Sequence, residues 1–368
     1  MTVARLSLTN FRSYRQFTRQ FEQTTAIVGP NGVGKTNLLE AIVLLSILKS
    51  YRTVSDAETI RFGEEFAKIV GRIEHRESRT APKTNRDSRG TGHDELEVVI
   101  SKGAKKAKRN GAAKPLSQLI GTLKTVLFSP EQLDIVTGPP RRRRRFWDSL
   151  LSQVDHRYTR ELIEYQRSLH QRNALLIRIR ERRASPAELA FWDDQLIKAA
   201  AVIHEERKRL VDALNRLLPP LYQAIAGSPD VLSLLPRFSR LSAESLTAKR
   251  PDDIAFGVTT IGPHRDNFTL AIGVRDLAQF GSRGEWRSAL FALKAAEREY
   301  LAQETKTEPV LLLDDVFSEL DRDRRERLLS QVGEGQMLLT ATDLAGLPTR
   351  LQGTVDVLEV ANYAEPVP

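Results

Sequence analysis

Cysteine is absent from the 368 residues, which excludes disulfides, thiolate nucleophiles and cysteine-held metals together. Long apolar runs are missing too. The longest, around Leu38 to Leu48, contains Glu40 and falls far short of the roughly 20 residues of a membrane span. No secretory signal is legible in MTVARLSLTNFRSY, where Arg5 and Arg12 interrupt the stretch that would need an apolar core. A cytoplasmic protein without a membrane partner is the expectation. No repeat of fixed period is visible. Nor is the chain too polar to collapse: 40% of it is hydrophobic and 28% charged, and the length suits two domains.

The net charge of +9 is unevenly placed. Residues 71 to 115 hold twelve Lys or Arg against six Asp or Glu, and Arg141 to Arg145 form an unbroken run of five. The remainder is close to neutral. Basic patches on a near-neutral body suit a polyanion such as DNA, because neutralised phosphates release counterions; a solvated basic loop is the competing reading.

VARLSLTNF and YRQFTRQFE alternate around an Asn10 to Ser13 turn, predicting an antiparallel hairpin. Thr24 to Val28 is a short β-rich run that enters a glycine cluster and leaves it into KTNLLEAIVLLSIL, a buried helix. FAKIVGRIEH and ELEVVISKG read as strands separated by a polar, basic loop, and Asn110-Gly111 predicts a type I′ hairpin tip between basic flanks. Apolar residues three or four apart from Phe146 to Leu169 predict one helix reaching Arg180, broken by Ser185-Pro186. A second runs from Leu189 to a stop at Pro219-Pro220, the two packing as an antiparallel pair. Beyond Phe256, FGVTTIG and NFTLAIG read as strands and WRSALFALKAAEREYLAQE as a helix. PVLLLDDVF reads as a strand buried on both faces and QMLLTATD as another strand.

Gly29-Pro30-Asn31-Gly32-Val33-Gly34-Lys35-Thr36 satisfies GxxxxGK[ST] between strand and helix. Glycines let such a loop turn its N–H groups inward around phosphates, Lys35 brings a point charge to the β and γ groups, and Thr36 offers a hydroxyl to Mg²⁺. Val310 to Asp315 is an apolar strand ending in two carboxylates. Asp314 is the expected Mg²⁺ partner, directly or through water, and Asp315 is placed to polarise an attacking water. About 280 residues separate Lys35 from Asp314, so a large insertion divides one ATPase core.

Four segments, GPNGVGKTNLLEA, Ser282 to Glu285 (SRGE), LLLDDVFSELD and GPHRD at Gly262 to Asp266, together resemble the RecF family of bacterial recombinational repair ATPases, relatives of SMC-type and ABC-type ATPases. The resemblance runs from Asn10 to the final strands and includes Phe128 to Asp148. It implies an α/β fold: an ABC-type P-loop ATPase head with a mixed sheet core, split into 1–120 and 256–368, around an inserted helical domain, 121–255. It further implies that Arg12 reaches the nucleotide and that Ser282 and Gly284 contact ATP bound to the other subunit. Ser318 to Asp321 would lie across the dimer seam. DNA, double- or single-stranded, other recombination mediator proteins and a second copy of the chain are the implied partners, with ATP and Mg²⁺ the cofactors. Gln132 and Asn267 stand where relatives of this kind often have a second acidic residue, and Asp315 replaces the Glu common in ABC-type sites, so slow hydrolysis is expected.

The DNA candidates are Lys105, Lys106, Lys108 and Arg109 on the hairpin, with Lys102 beside them, and Arg141, Arg142 and Arg143 in the arginine run. Two other functions stay open at this point: the nucleotide-binding subunit of a membrane transporter, against which GSRGEW lacks the usual LSGGQ-like loop, and an ATP switch that does not hydrolyse.

Overall fold

The structure, a computed structural model, describes residues 1–75, 92–319, 322–331, 333 and 335–360. The basic stretch 76–91, expected as a loop, lies outside the described residues, as does the second half of Ser318 to Asp321. The chain forms two compact units, Met1–Gln132 with Lys294–Pro368, and Leu133–Leu293.

In the first unit, β1 (Thr2–Phe11) and β2 (Tyr14–Gln20) form the expected antiparallel hairpin, and β4 (Phe66–Glu74), β5 (His93–Ser101), β6 (Ala104–Arg109) and β7 (Ala112–Ala113) extend it into a six-stranded sheet, β2-β1-β4-β5-β6-β7. A register shift between Val3 and Arg5 moves the buried set of β1 from Val3 to Leu6 and Leu8. Asn110 and Gly111 both take positive φ, 53° and 77°, closing the predicted tip between β6 and β7. The other sheet is wholly parallel. In it β3 (Thr24–Val28), β8 (Thr125–Phe128), β12 (Val310–Leu313), β13 (Met337–Ala341) and β14 (Asp356–Glu359) run in the order β14-β3-β13-β12-β8. The continuous apolar run of β12 is buried at every position, as two covered faces require. Helix α1 (Lys35–Ile47) carries apolar residues all round and buries Leu38 through Ser46 in the core that both sheets share. A single turn, α2 (Leu116–Leu119), leads to β8. Helix α9 (Arg322–Gln331) precedes β13.

The second unit begins with α3 (Pro140–Val154) and α4 (His156–Arg180), where one helix was expected. Asp155 divides them: its side chain accepts the Arg157 N–H and caps α4. Helix α5 (Leu189–Ala226) runs through Pro219 and Pro220 instead of stopping there. Burial of Leu218, Tyr222 and Ile225 holds the last turns and outweighs the two missing N–H donors. The unit is also not purely helical. β9 (Leu232–Arg237), β10 (Asn267–Ile272) and β11 (Arg275–Asp276) form a small antiparallel sheet, joined by α6 (Ala243–Phe256), α7 (Leu277–Phe280) and the start of α8 (Arg283–Thr305). FGVTTIG is therefore no strand: Phe256 ends α6 and Gly257 caps it at φ 70°. The unit boundaries fall at 132/133 and 293/294, not 120/121 and 255/256, because β8 hydrogen-bonds to β12 whereas β10 pairs with β9.

Two buried arginines tie the helix pair. Arg172 of α4 donates to Asp193 (2.6 Å) and Asp253 (2.8 Å), while Arg207 of α5 donates to Asp148 and Asp266, each at 2.7 Å, and to the Pro263 carbonyl. These pairings, Arg172 near the turn and Arg207 opposite Tyr158, confirm the antiparallel arrangement. Replacing Arg207, 2% exposed, with methionine keeps the bulk but strands two carboxylates, at an expected cost of about 3–5 kcal/mol. Urea unfolding of the variant tests this, and a loss below about 1 kcal/mol would contradict it.

Candidate nucleotide-binding site

The β3–α1 loop is built as the glycine spacing demands. Gly32 and Gly34 take φ of 84° and 105°, in the region where a Cβ is strained. Gly34 is also the N-cap of α1 and supplies no side-chain cap, which leaves the helix N-terminus to an anion. The loop is braced by the first hairpin: Tyr14 donates its hydroxyl to the Gly34 carbonyl (3.1 Å), and Asn37 donates to the Ser13 hydroxyl (3.1 Å). Lys35 bends back over the loop and donates to the carbonyls of Gly29 (2.6 Å) and Pro30 (2.9 Å). Burial lowers its pKa, opposed by the carboxylates of Asp315 and Asp314.

Those carboxylates arrive because β12 lies one strand away from β3, across β13. Thr36 donates its hydroxyl to Asp314 at 2.9 Å, across 278 positions of sequence. Thr340, at the end of β13, donates to the same oxygen (3.0 Å) and accepts the N–H of Asp315 (2.8 Å). Tyr51 faces the other oxygen of Asp314 at 3.4 Å. Burial raises the Asp314 pKa, with the Thr36 and Thr340 bonds opposing. Asp315 sits in the left-handed region at φ 51°. A cleft of about 230 Å³ is lined by Asn31, Gly32, Gly34, Lys35, Thr36, Asn37, Arg52, Asp314, Asp315 and Thr340.

Hydroxyl and carboxylate oxygens at this spacing fit Mg²⁺, a hard cation. Among the described residues no cluster of three or more His, Asp or Glu forms a metal cage. Two protein ligands completed by water and phosphate is the usual way this cation is held.

Other predicted residues lie elsewhere. Arg12 does not line the cleft; its guanidinium is held by buried Glu40 of α1 through two bonds (2.9 and 2.7 Å) and by the Glu58 carbonyl. Beside Lys35, the cleft is lined by a second cation, Arg52, which donates to Asn37 and lies 3.6 Å from Glu40. Arg52, Tyr51 and Thr340 carried no motif in the sequence, and Asn37, within GPNGVGKTNLLEA, was assigned no role there. Ser282 and Gly284 stand at the start of α8 in the second unit. There Ser282 and Glu285 form a reciprocal capping box, Ser282 N–H to the carboxylate (2.7 Å) and Glu285 N–H to the hydroxyl (3.2 Å). Arg275 also grips Glu285 and, with that cap, holds its carboxyl down at about 2.

The basic candidates divide as well. Lys105 and Arg109 turn to the core side of the sheet, where Lys105 pairs with Asp56 (2.6 Å) and Arg109 binds Asp94 through two bonds. Lys108 pairs with Glu97 (3.0 Å), whereas Lys102 and Lys106 are exposed. In the arginine run Arg143 is buried and structural, donating to Asn267 (2.7 Å) and to the carbonyls of Ile135 and Val136. It is not available to DNA. Arg142 lies 3.4 Å from Asp134, and Arg141 is exposed. The amide of Asn267 thus receives a buried guanidinium, while the Gln132 carbonyl oxygen is buried without a partner among the described residues.

The model of the RecF/RecN/SMC N-terminal domain matches residues 2–342. A curated relative from Chloroflexus aurantiacus, named DNA replication and repair protein RecF, is 39% identical, with 94% of each chain covered. One of the same name from Bacillus velezensis is 36% identical over 94% of this chain and 95% of its own. A solved structure described as the recombination mediator protein RecF-ATPrS in RecFOR pathway superposes with a TM-score of 0.82 at 30% identity, covering 94% of both chains. The fold is that of an ABC-type ATPase head, and the chain belongs to the RecF family.

Proposed function

We propose that the chain is an ATP-dependent DNA-binding protein of recombinational repair and replication restart. The Thr36–Asp314 contact under a glycine loop carries this reading, because it joins the two halves of a nucleotide site from opposite ends of the sequence. The relatives named for DNA replication and repair, and the neighbour described with an ATP analogue, support the process and the nucleotide. Gly29 to Thr36 would wrap the phosphates, Lys35 leaving its two carbonyls for the β and γ groups. Thr36 and Asp314 would hold Mg²⁺, which neutralises phosphate charge when bound. Asp315 would orient water, and its short side chain would make hydrolysis slow.

Two ATP molecules then act as reversible glue between two copies of the chain, each Ser282 and Gly284 loop closing on the partner's nucleotide. Single- and double-stranded DNA and other recombination mediator proteins are the partners, and the setting is cytoplasmic. Among the described residues no helix is long and apolar enough to cross a membrane. The transporter reading has nothing in the family to support it.

The test is a titration of the protein with ATP, duplex DNA and single-stranded DNA, following assembly state and turnover together. Ser282→Arg is the informative variant. It forfeits a helix cap worth about 1 kcal/mol, so the monomer should fold and bind ATP, yet sedimentation should show no ATP-dependent dimer. A variant that dimerises like the parent contradicts a loop acting across subunits.

A further inference from the structure

An unassigned concavity lies wholly in the second unit. Arg237, at the end of β9, Phe238 and Ser239 form one wall, and Thr260 and Arg265 the other, around about 560 Å³. Both arginines are exposed. Among the described residues neither side chain has a carboxylate partner: the Arg265 guanidinium donates only to the Thr259 carbonyl (3.3 Å).

Nearby acids are already committed. Asp266 is bonded by Arg207, by His204 and by the Ser239 N–H, and Asp253 by Arg172 and by both the N–H and hydroxyl of Thr260. The Ser239 oxygen accepts the Gly262 N–H (3.0 Å), so its proton remains to donate. Phe238 is fixed by stacking on Trp147, centroids 5.9 Å apart, which makes it a firm apolar wall. Burial is the main cause that pushes His264 down to about 4, and Arg265 and Arg144 add to it.

We propose that this pocket binds the phosphodiester backbone of a nucleic-acid strand, with Arg237 and Arg265 on the phosphate oxygens, the Ser239 hydroxyl as a third donor and Phe238 against the sugar. Two guanidiniums and a hydroxyl, beside carboxylates that are already bonded, are the donor set a phosphate requires. The volume exceeds one phosphate, so a passing strand fits better than a free anion. This deepens the DNA-binding reading above and rests on it. It also moves the contact away from the arginine run, whose central member is buried, to Arg237, which no motif marked, and to Arg265 of the GPHRD segment.

The experiment measures affinity of the full-length protein for a short labelled duplex across a salt series, for wild type, Arg237→Gln and the Arg237→Gln/Arg265→Gln double variant, with ATP binding in parallel. The double variant should lose about tenfold or more in affinity at low salt. Its slope of log affinity against log salt should fall by about 1.8, two contacts at about 0.9 each, with ATP binding unchanged. Arg237→Gln alone, whose side chain makes no hydrogen bond or ion pair with a described residue, should lose about half that slope and serves if the double variant fails to fold. If the wild type binds DNA and the variants match it in slope and affinity, the pocket assignment is overturned while the DNA reading stands. If the wild type shows no salt-dependent DNA binding, the DNA reading and the strand both fall. Protection of wild type but not variant by inorganic phosphate, with DNA slopes equal, would make the occupant a free anion and overturn the proposal.

Discussion

Lys35→Met should weaken ATP binding by roughly thirty- to several-thousand-fold, the equivalent of about 2–5 kcal/mol for truncating one partner of a buried charged contact. Methionine nearly matches the lysine stem in volume, and the site is buried, so the fold has no reason to change. What disappears is the ammonium. Without nucleotide it rests on the carbonyls of Gly29 and Pro30, which the loop holds in place by the turn at Gly34 and the Tyr14 hydroxyl. A triphosphate offers the same ammonium full negative charge in place of two carbonyl dipoles, so exchange toward the phosphates is downhill. Titration with a fluorescent ATP analogue, alongside a thermal melt, separates affinity from stability. Equal affinity in the variant would remove Lys35 from the phosphate site.

The parts of this site that were legible in the sequence are those where backbone geometry and chemistry leave one solution. GPNGVGKT must turn tightly between strand and helix because only glycine takes φ of 84° and 105° without strain. VLLLDD must be a covered strand with its acids at the exit, because four consecutive apolar residues cannot face water on either side. Arg12 was placed at the nucleotide by its motif, yet Glu40, buried in α1 and needing a counter-charge, takes its guanidinium. Arg52 lines the cleft from a stretch with no pattern at all.

The arginine run shows the opposite difficulty. Five identical letters give one charge count, but Pro139 and Pro140 start a helix there, and a helix turns successive side chains about 100° apart. Arg141 therefore meets solvent, while Arg143 meets Asn267 and two carbonyls, and Arg144 the Asp266 carbonyl. On the hairpin the two-residue period does the same sorting. Lys106 and Lys108 share the outer face, and Lys105 and Arg109 lie on the opposite face beside Asp56 and Asp94, Arg109 still exposed there. Linear charge marks where a basic surface is possible; the period of the element decides which members reach it.

Asp315→Asn should reduce ATP turnover by roughly 10²–10⁴-fold, the usual contribution of a positioned general base, while ATP affinity stays within a few-fold. The substitution isolates charge from geometry. Asp315 occupies the left-handed region, φ 51°, which asparagine tolerates at least as well as aspartate. Its N–H bond to the Thr340 hydroxyl is a backbone contact and survives. Asp314, the residue bonded to Thr36, is untouched. The carboxylate removed is also one of two that face Lys35, so losing it should if anything free the ammonium for phosphate. If hydrolysis is what releases the two copies from each other, the asparagine variant should hold the ATP-dependent dimer long after the parent has dissociated. Single-turnover hydrolysis and dimer lifetime, measured on the same sample, read both consequences. Normal turnover would take the water-orienting role from Asp315, and slowed turnover with a normal dimer lifetime would uncouple hydrolysis from release.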